Sequence, residues 1–175
     1  MKNTVKVTFC AFMAALSAAF MLLSYFPYLT YAIPAVAGLF MMIVVIEINL
    51  RWALGTFAAG AVLVLIFAEP EAKLMYVCLF GYYPILKGAL ERIQKPALEW
   101  ILKFAVFNAA VLLVYVGLSF VFDMSFADMG ELGKYGGYVL LFAGNVVFLL
   151  YDIAISRIAT FYMFRLHPKI QRLIK

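Results

Sequence analysis

Six apolar runs, each near the ~20 residues a helix needs to cross a bilayer, dominate this chain and leave it few ways to fold. They extend from Val5 to Phe26, Tyr31 to Ile48, Arg51 to Ala68, Leu74 to Leu90, Ala97 to Phe122 and Gly137 to Phe164. Pro27 and the Glu69-Pro70-Glu71 triplet punctuate them. Pro34 falls near the start of its run, where proline is tolerated, whereas Pro84 lies inside the fourth and predicts a kink. The second, third and fourth runs are short, which permits tilted or partly re-entrant packing. With 67% hydrophobic and 13% charged residues, the chain lacks the polar groups to cover a water-facing surface. The expectation is one all-α integral membrane domain over residues 1–175, a six-transmembrane-helix bundle in the cell membrane.

The formal charge of +5 is unevenly distributed. With the N-terminus in the cytoplasm, Lys2, Lys6, Arg51, Lys87, Arg92, Lys95, Lys103, Arg157, Arg165, Lys169, Arg172 and Lys175 fall on or near the inner side. Only Lys73 and Lys134 fall outside, among Glu69, Glu71, Asp123, Asp128 and Glu131. The positive-inside rule then places both termini in the cytoplasm, and five spans would put the basic tail outside. Short basic clusters between apolar runs speak for membrane topology rather than nucleic-acid binding. Cys10 and Cys78 lie toward opposite faces, which argues against a disulfide. The first run is too long for a signal-peptide core and reads as an uncleaved helix. The segment from Asp123 to Gly137 is the longest loop and the best candidate for a mobile one.

Polar residues inside spans mark functional or structural contacts. Tyr138, Asn145 and Asp152 are seven apart on one face of the sixth run, as are Asn108 and Tyr115 on the fifth. Depth counted from the helix ends pairs Asn108 with Asp152 as a buried polar clasp, and Tyr115 with Asn145 as the floor of an external pocket. Tyr25, Phe26, Tyr28, Tyr31, Tyr76, Phe126, Tyr135 and Tyr138 gather toward the outer ends, as an interfacial belt or an aromatic-lined cup. Glu69, Glu71 and Lys73 at that mouth either orient a charged solute or end helices. On the first run Ala11, Ala15 and Ala19, with Ala14 and Ala18 beside them, form a flat strip. In lipid, such a strip serves packing within the bundle or the docking of a partner helix. Gly55 with Ala59 and Thr56 with Gly60 form a second strip. The single histidine, His167, and the lack of a glycine-rich phosphate loop point away from intramembrane proteases, HExxH metalloproteases and nucleotide hydrolysis. No catalytic residue, metal site or cofactor is expected.

The alanine-spaced first helix (Ala11-x-x-x-Ala15), the length and the six runs with an inside N-terminus resemble the substrate-binding (S) subunits of energy-coupling factor transporters. These are prokaryotic vitamin and micronutrient importers. The segment from Phe80 to Lys87 is also similar to other bacterial membrane proteins of this general type. The resemblance covers almost the whole chain without pointing to a subfamily of defined substrate. It implies a small-molecule solute bound in an external pocket, with Tyr31, Tyr76, Tyr115, Tyr138 and Asn145 as candidates. It also implies a transmembrane coupling subunit gripping Ala11, Ala14, Ala15, Ala18 and Ala19, and two ATPase subunits that hydrolyse ATP. Two other readings stay open: a non-transporting scaffold subunit of a cell-envelope or cell-shape complex, and a stand-alone carrier or channel.

Overall fold

The computed structural model describes residues 2–93, 95–122 and 136–174; the side chains of 115, 117–122, 136–138, 140 and 171–174 also lie outside the description. The described residues form eight α-helices: α1 (Asn3–Met21), α2 (Ala32–Glu47), α3 (Leu50–Phe67), α4 (Pro70–Met75), α5 (Tyr83–Leu90), α6 (Pro96–Phe122), α7 (Gly136–Arg165) and α8 (His167–Ile174). A 3-10 turn, Leu22–Tyr25, extends α1, and another, Glu91–Ile93, extends α5. Four stretches are long and apolar enough to cross a membrane: Asn3–Tyr25, Leu50–Phe67, Pro96–Val114 and Leu141–Arg165. Helix α2 is apolar but shorter.

The boundaries follow local chemistry. Asn49 caps α3 by accepting the Trp52 backbone N–H at 3.0 Å. Pro70 and Pro84 sit in the first turns of α4 and α5, and Pro96 opens α6, positions where a missing N–H costs nothing. Between α4 and α5 the chain does more than kink. Tyr76–Phe80 is a π turn, closed by Gly81 N–H donating to the Tyr76 carbonyl at 2.8 Å. Pro84 has no N–H to offer the Phe80 carbonyl four residues back, so a new helix starts there. That carbonyl instead lies against Gly38 of α2, where a Cβ would collide with it. The tightness at Gly38 is what brings the broken segment against α2.

Three apolar clusters hold the elements together. Met21, Ile33, Val64, Ala72 and Tyr76 join α1, α2, α3 and the α4 segment at one end. Cys10, Met13, Met41, Val44, Ala53 and Ile85 join α1, α2, α3 and α5 at the other. Met42, Leu79, Tyr83, Phe107, Phe148 and Ile155 attach α6 and α7. Successive long segments therefore run in opposite directions. One end, called the basic end here, gathers the C-termini of α2, α5 and α7. At the far end Tyr25 donates to the Phe67 carbonyl at 3.1 Å, Tyr31 to Glu71 at 3.0 Å, and Lys73 to the Leu65 carbonyl at 3.1 Å. Glu71 and Lys73 thus tie the ends of helices. Tyr28 has a φ of 72° in the turn between α1 and α2 and is almost wholly exposed.

Helix α8 follows α7 after a break at Leu166, beyond the end of the sixth apolar run at Phe164. His167 Nδ1 lies 2.9 Å from Glu47 Oε1, and Tyr162 donates to the same oxygen at 2.8 Å. The lone histidine pins the chain end to α2.

Candidate functional site

The most polar feature of the interior is a cluster of charges between α5, α6 and α7. Asp152 Oδ1 accepts from the Tyr83 hydroxyl at 2.6 Å and from Lys87 Nζ at 2.5 Å, while Oδ2 accepts from Lys103 Nζ at 3.2 Å. Lys87, Lys103 and Asp152 are 3%, 1% and 3% exposed. Helical spacing builds the rest. Glu91 is one turn beyond Lys87 and pairs with it at 3.0 Å; Glu99 is one turn before Lys103 and pairs with it at 2.6 Å. Glu91 also lies 3.9 Å from Lys103, and that ammonium stands 5.1 Å over the Trp100 ring. A lysine taken out of water without such partners would cost several kcal/mol, so the five charges form one unit.

Lys87 and Lys103, counted by the charge distribution only as inner-side cations, are therefore buried members of an ion-pair cluster. The spacing Tyr83-x3-Lys87-x3-Glu91 and Glu99-x3-Lys103 carried the missing signal, since both lysines have an acid at i±4 and sit among apolar neighbours.

The expected clasp between Asn108 and Asp152 is replaced by a different pairing. Asn108 and Asn145 exchange side-chain amide hydrogen bonds at 3.1 and 3.2 Å, and each also donates to its own i−4 carbonyl, Phe104 and Leu141. Helices α6 and α7 meet with Phe107 stacked on Phe148 at 4.4 Å, which puts Asn108 opposite Asn145 and Lys103 opposite Asp152. Counting depth from the helix ends erred by about two turns, because the ends are not level. In an apolar setting such an amide pair is worth about 0.6–1.7 kcal/mol. Replacing Asn108 with Leu is expected to destabilise by about 1–2 kcal/mol. The N108L/N145L double variant should recover most of that in a double-mutant cycle read by unfolding in detergent. Strict additivity would show that the two amides do not interact.

The candidate pocket residues do not converge among the described side chains. Tyr76 is 0% exposed, and its hydroxyl lies 2.8 Å from Ser17 Oγ. Ser17 gives its own proton to the Ala37 carbonyl at 3.2 Å, so Tyr76 is the donor in that contact and belongs to the core. Asn145 is taken by Asn108, and Tyr31 is exposed at the rim on Glu71. The side chains of Tyr115 and Tyr138, like the 123–135 segment, lie outside the described residues. At the same far end, Glu69 Oε2 is buried with no hydrogen-bond partner among the described residues.

The alanine strip divides in two. Ala14 is buried, with its Cα and Cβ facing Gly60 of α3, and Ala18 packs against the far-end core. Ala14 serves the bundle's own packing and is not available to a partner, and Ala18 is partly committed to the same packing. Ala11, Ala15 and Ala19 point outward. Beside them runs a groove of about 370 Å³ lined by Val7, Cys10, Ala11, Trp52, Gly55 and Ala59 among others. The second strip splits likewise, with Gly55 and Ala59 exposed and Thr56 and Gly60 buried.

A larger cavity, about 500 Å³, opens at the basic end between α2, α5 and α7, bordering the charge cluster at Lys87 and Glu91. Among the described residues no three His, Cys, Asp or Glu side chains gather as a metal site would require.

Among the described residues the chain is all-helical, with four helices long and apolar enough to cross a membrane. No known family model, curated protein or solved structure matches the chain.

Proposed function

We propose that this chain is the solute-capturing membrane subunit of an ATP-driven micronutrient importer, with six passes through the cell membrane and both termini in the cytoplasm. The observation that carries the reading is the outward edge of α1. Ala11, Ala15 and Ala19 leave a shallow face beside Gly55 and Ala59, where another protein's helix can approach closely without displacing large side chains. The far end supports it with a buried acceptor, Glu69 Oε2, that has no described partner and suits a donor group on a solute. The coupling subunit would take the α1 face, and its two ATPases would supply the energy.

Affinity purification of the tagged full chain from its native membranes tests this. The expected result is recovery of a membrane partner with ATPase activity. The A11L/A15L variant should lose at least tenfold of that activity while keeping its yield and melting temperature, because both positions are exposed. Recovery of no ATPase, or equal recovery by the leucine variant, would overturn the proposal.

A second reading, a non-transporting scaffold of an envelope or cell-shape complex, draws on the internal bonding of Tyr76 and Asn145, two groups meant for a solute. Its mark is co-purification of envelope proteins with no ATPase, and indifference of the chain to any solute.

A further inference from the structure

The cavity at the basic end lies away from the far-end solute site and the α1 face, and has no part in the importer reading. Its wall is mostly apolar, with Met42, Val45, Ile46, Ile155, Met163 and Phe164 contributed by α2 and α7. Its polar atoms come from Lys87 and Glu91 on the α5 side and from Ser156 and Thr160 on α7. The volume of about 500 Å³ falls in the range that small-molecule sites occupy.

The polar atoms are predominantly acceptors. Ser156 donates its proton to the Asp152 carbonyl at 3.2 Å, and Thr160 donates its own to the Ser156 carbonyl at 2.8 Å. With their protons committed, both hydroxyls have only lone pairs left to offer a further partner. Lys87 is the single cation in the lining, and two of its three N–H bonds are committed to Asp152 and Glu91. Glu91 uses Oε1 for the lysines; its side chain is 47% exposed, and Oε2 accepts from no described residue. Of the two charged residues in the lining, Lys87 is buried and Glu91 is half-exposed, so the accessible charge at the cavity is the carboxylate. The nearby Arg157 of α7 is exposed and does not line the cavity.

We infer that this cavity binds an amphipathic organic cation, an ammonium group seated on Glu91 with Ser156 and Thr160 as further acceptors and an apolar body against α2 and α7. A metal ion does not fit, because the carboxylates are interleaved with lysines and do not converge. An organic anion would meet the half-exposed Glu91 carboxylate, while the Lys87 ammonium is buried against Asp152.

Hexylammonium, hexanoate and hexanol serve as probes, titrated calorimetrically into the full chain in lipid nanodiscs, with empty discs as the blank. Saturable one-to-one binding of hexylammonium is expected, at least tenfold tighter than hexanol, with none for hexanoate. Glu91→Gln should weaken hexylammonium at least tenfold. Ser156→Val, which removes a hydroxyl from the wall, should weaken it about three- to tenfold. Absence of saturable hexylammonium binding, equal binding of hexanol, binding of hexanoate, or an unchanged Glu91→Gln variant each overturns the inference. No ATPase partner enters the titration, so its outcome is independent of the importer proposal.

Discussion

Replacing Asp152 with Ala is expected to cost about 3–5 kcal/mol, the largest single-residue loss in the molecule. The carboxylate is the meeting point of Tyr83, Lys87 and Lys103, and its removal leaves two ammonium groups in a dry interior with only the more exposed Glu91 and Glu99 to face. Breaking a buried ion pair costs more than the pair itself contributes, because the surviving charge keeps its desolvation penalty. The triple variant K87M/K103M/D152L removes the three deeply buried charges at similar volume and leaves only the more exposed Glu91 and Glu99 carboxylates, which water can reach. It should return to within about 1 kcal/mol of the parent. Equilibrium unfolding in mixed micelles reads both. A D152A loss under about 1 kcal/mol, or a triple variant no better than D152A, would mean that the cluster is solvated rather than closed.

The second large effect belongs to Gly38. A Cβ built there collides with the Phe80 backbone oxygen, and backbone cannot turn aside as a flexible side chain can. Gly38→Val should therefore destabilise by about 3 kcal/mol, at the upper end of ordinary overpacking. Gly55, also helical, has nothing within 4 Å of its notional Cβ. Gly55→Ala should gain about 0.5 kcal/mol through the lower chain entropy of alanine. Melting temperatures of the two variants in one detergent separate steric loss from helix propensity. Equal and small shifts would show that α2 and the π turn are not in fixed contact.

Much of the architecture follows from the spacing of apolar residues. All six apolar runs are helical in the structure, because runs of this length leave the backbone no other way to satisfy its hydrogen bonds away from water. Periodicity could not resolve the fourth run into α4, a π turn and α5, since Tyr76–Phe80 is as apolar as its flanks. The signal there was steric: Gly81 and Pro84 three residues apart, with Gly38 opposite. The charge cluster stayed hidden for a different reason. The positive-inside rule counts the sign of a residue and not its neighbours, so Lys87 and Lys103 counted only as inner-side cations although acids stood one turn away. Asn108, Asn145 and Asp152 all bond within the bundle, but their partners depended on the offset between α6 and α7, which only the stacking of Phe107 on Phe148 fixes. Four-residue spacing alone likewise could not tell which alanines of α1 turn inward.

The π turn also fixes an angular phase. An α-helix advances about 100° per residue, so one residue held in a wider turn rotates everything after it by that amount. Tyr83 and Lys87 owe their aim at Asp152 to this offset as much as to their own side chains. A chain shortened by one residue between Met75 and Gly81 would keep its apolarity and its reach. It would nevertheless swing a phenol and an ammonium away from their carboxylate. The spacing of this segment is thus constrained more tightly than its composition.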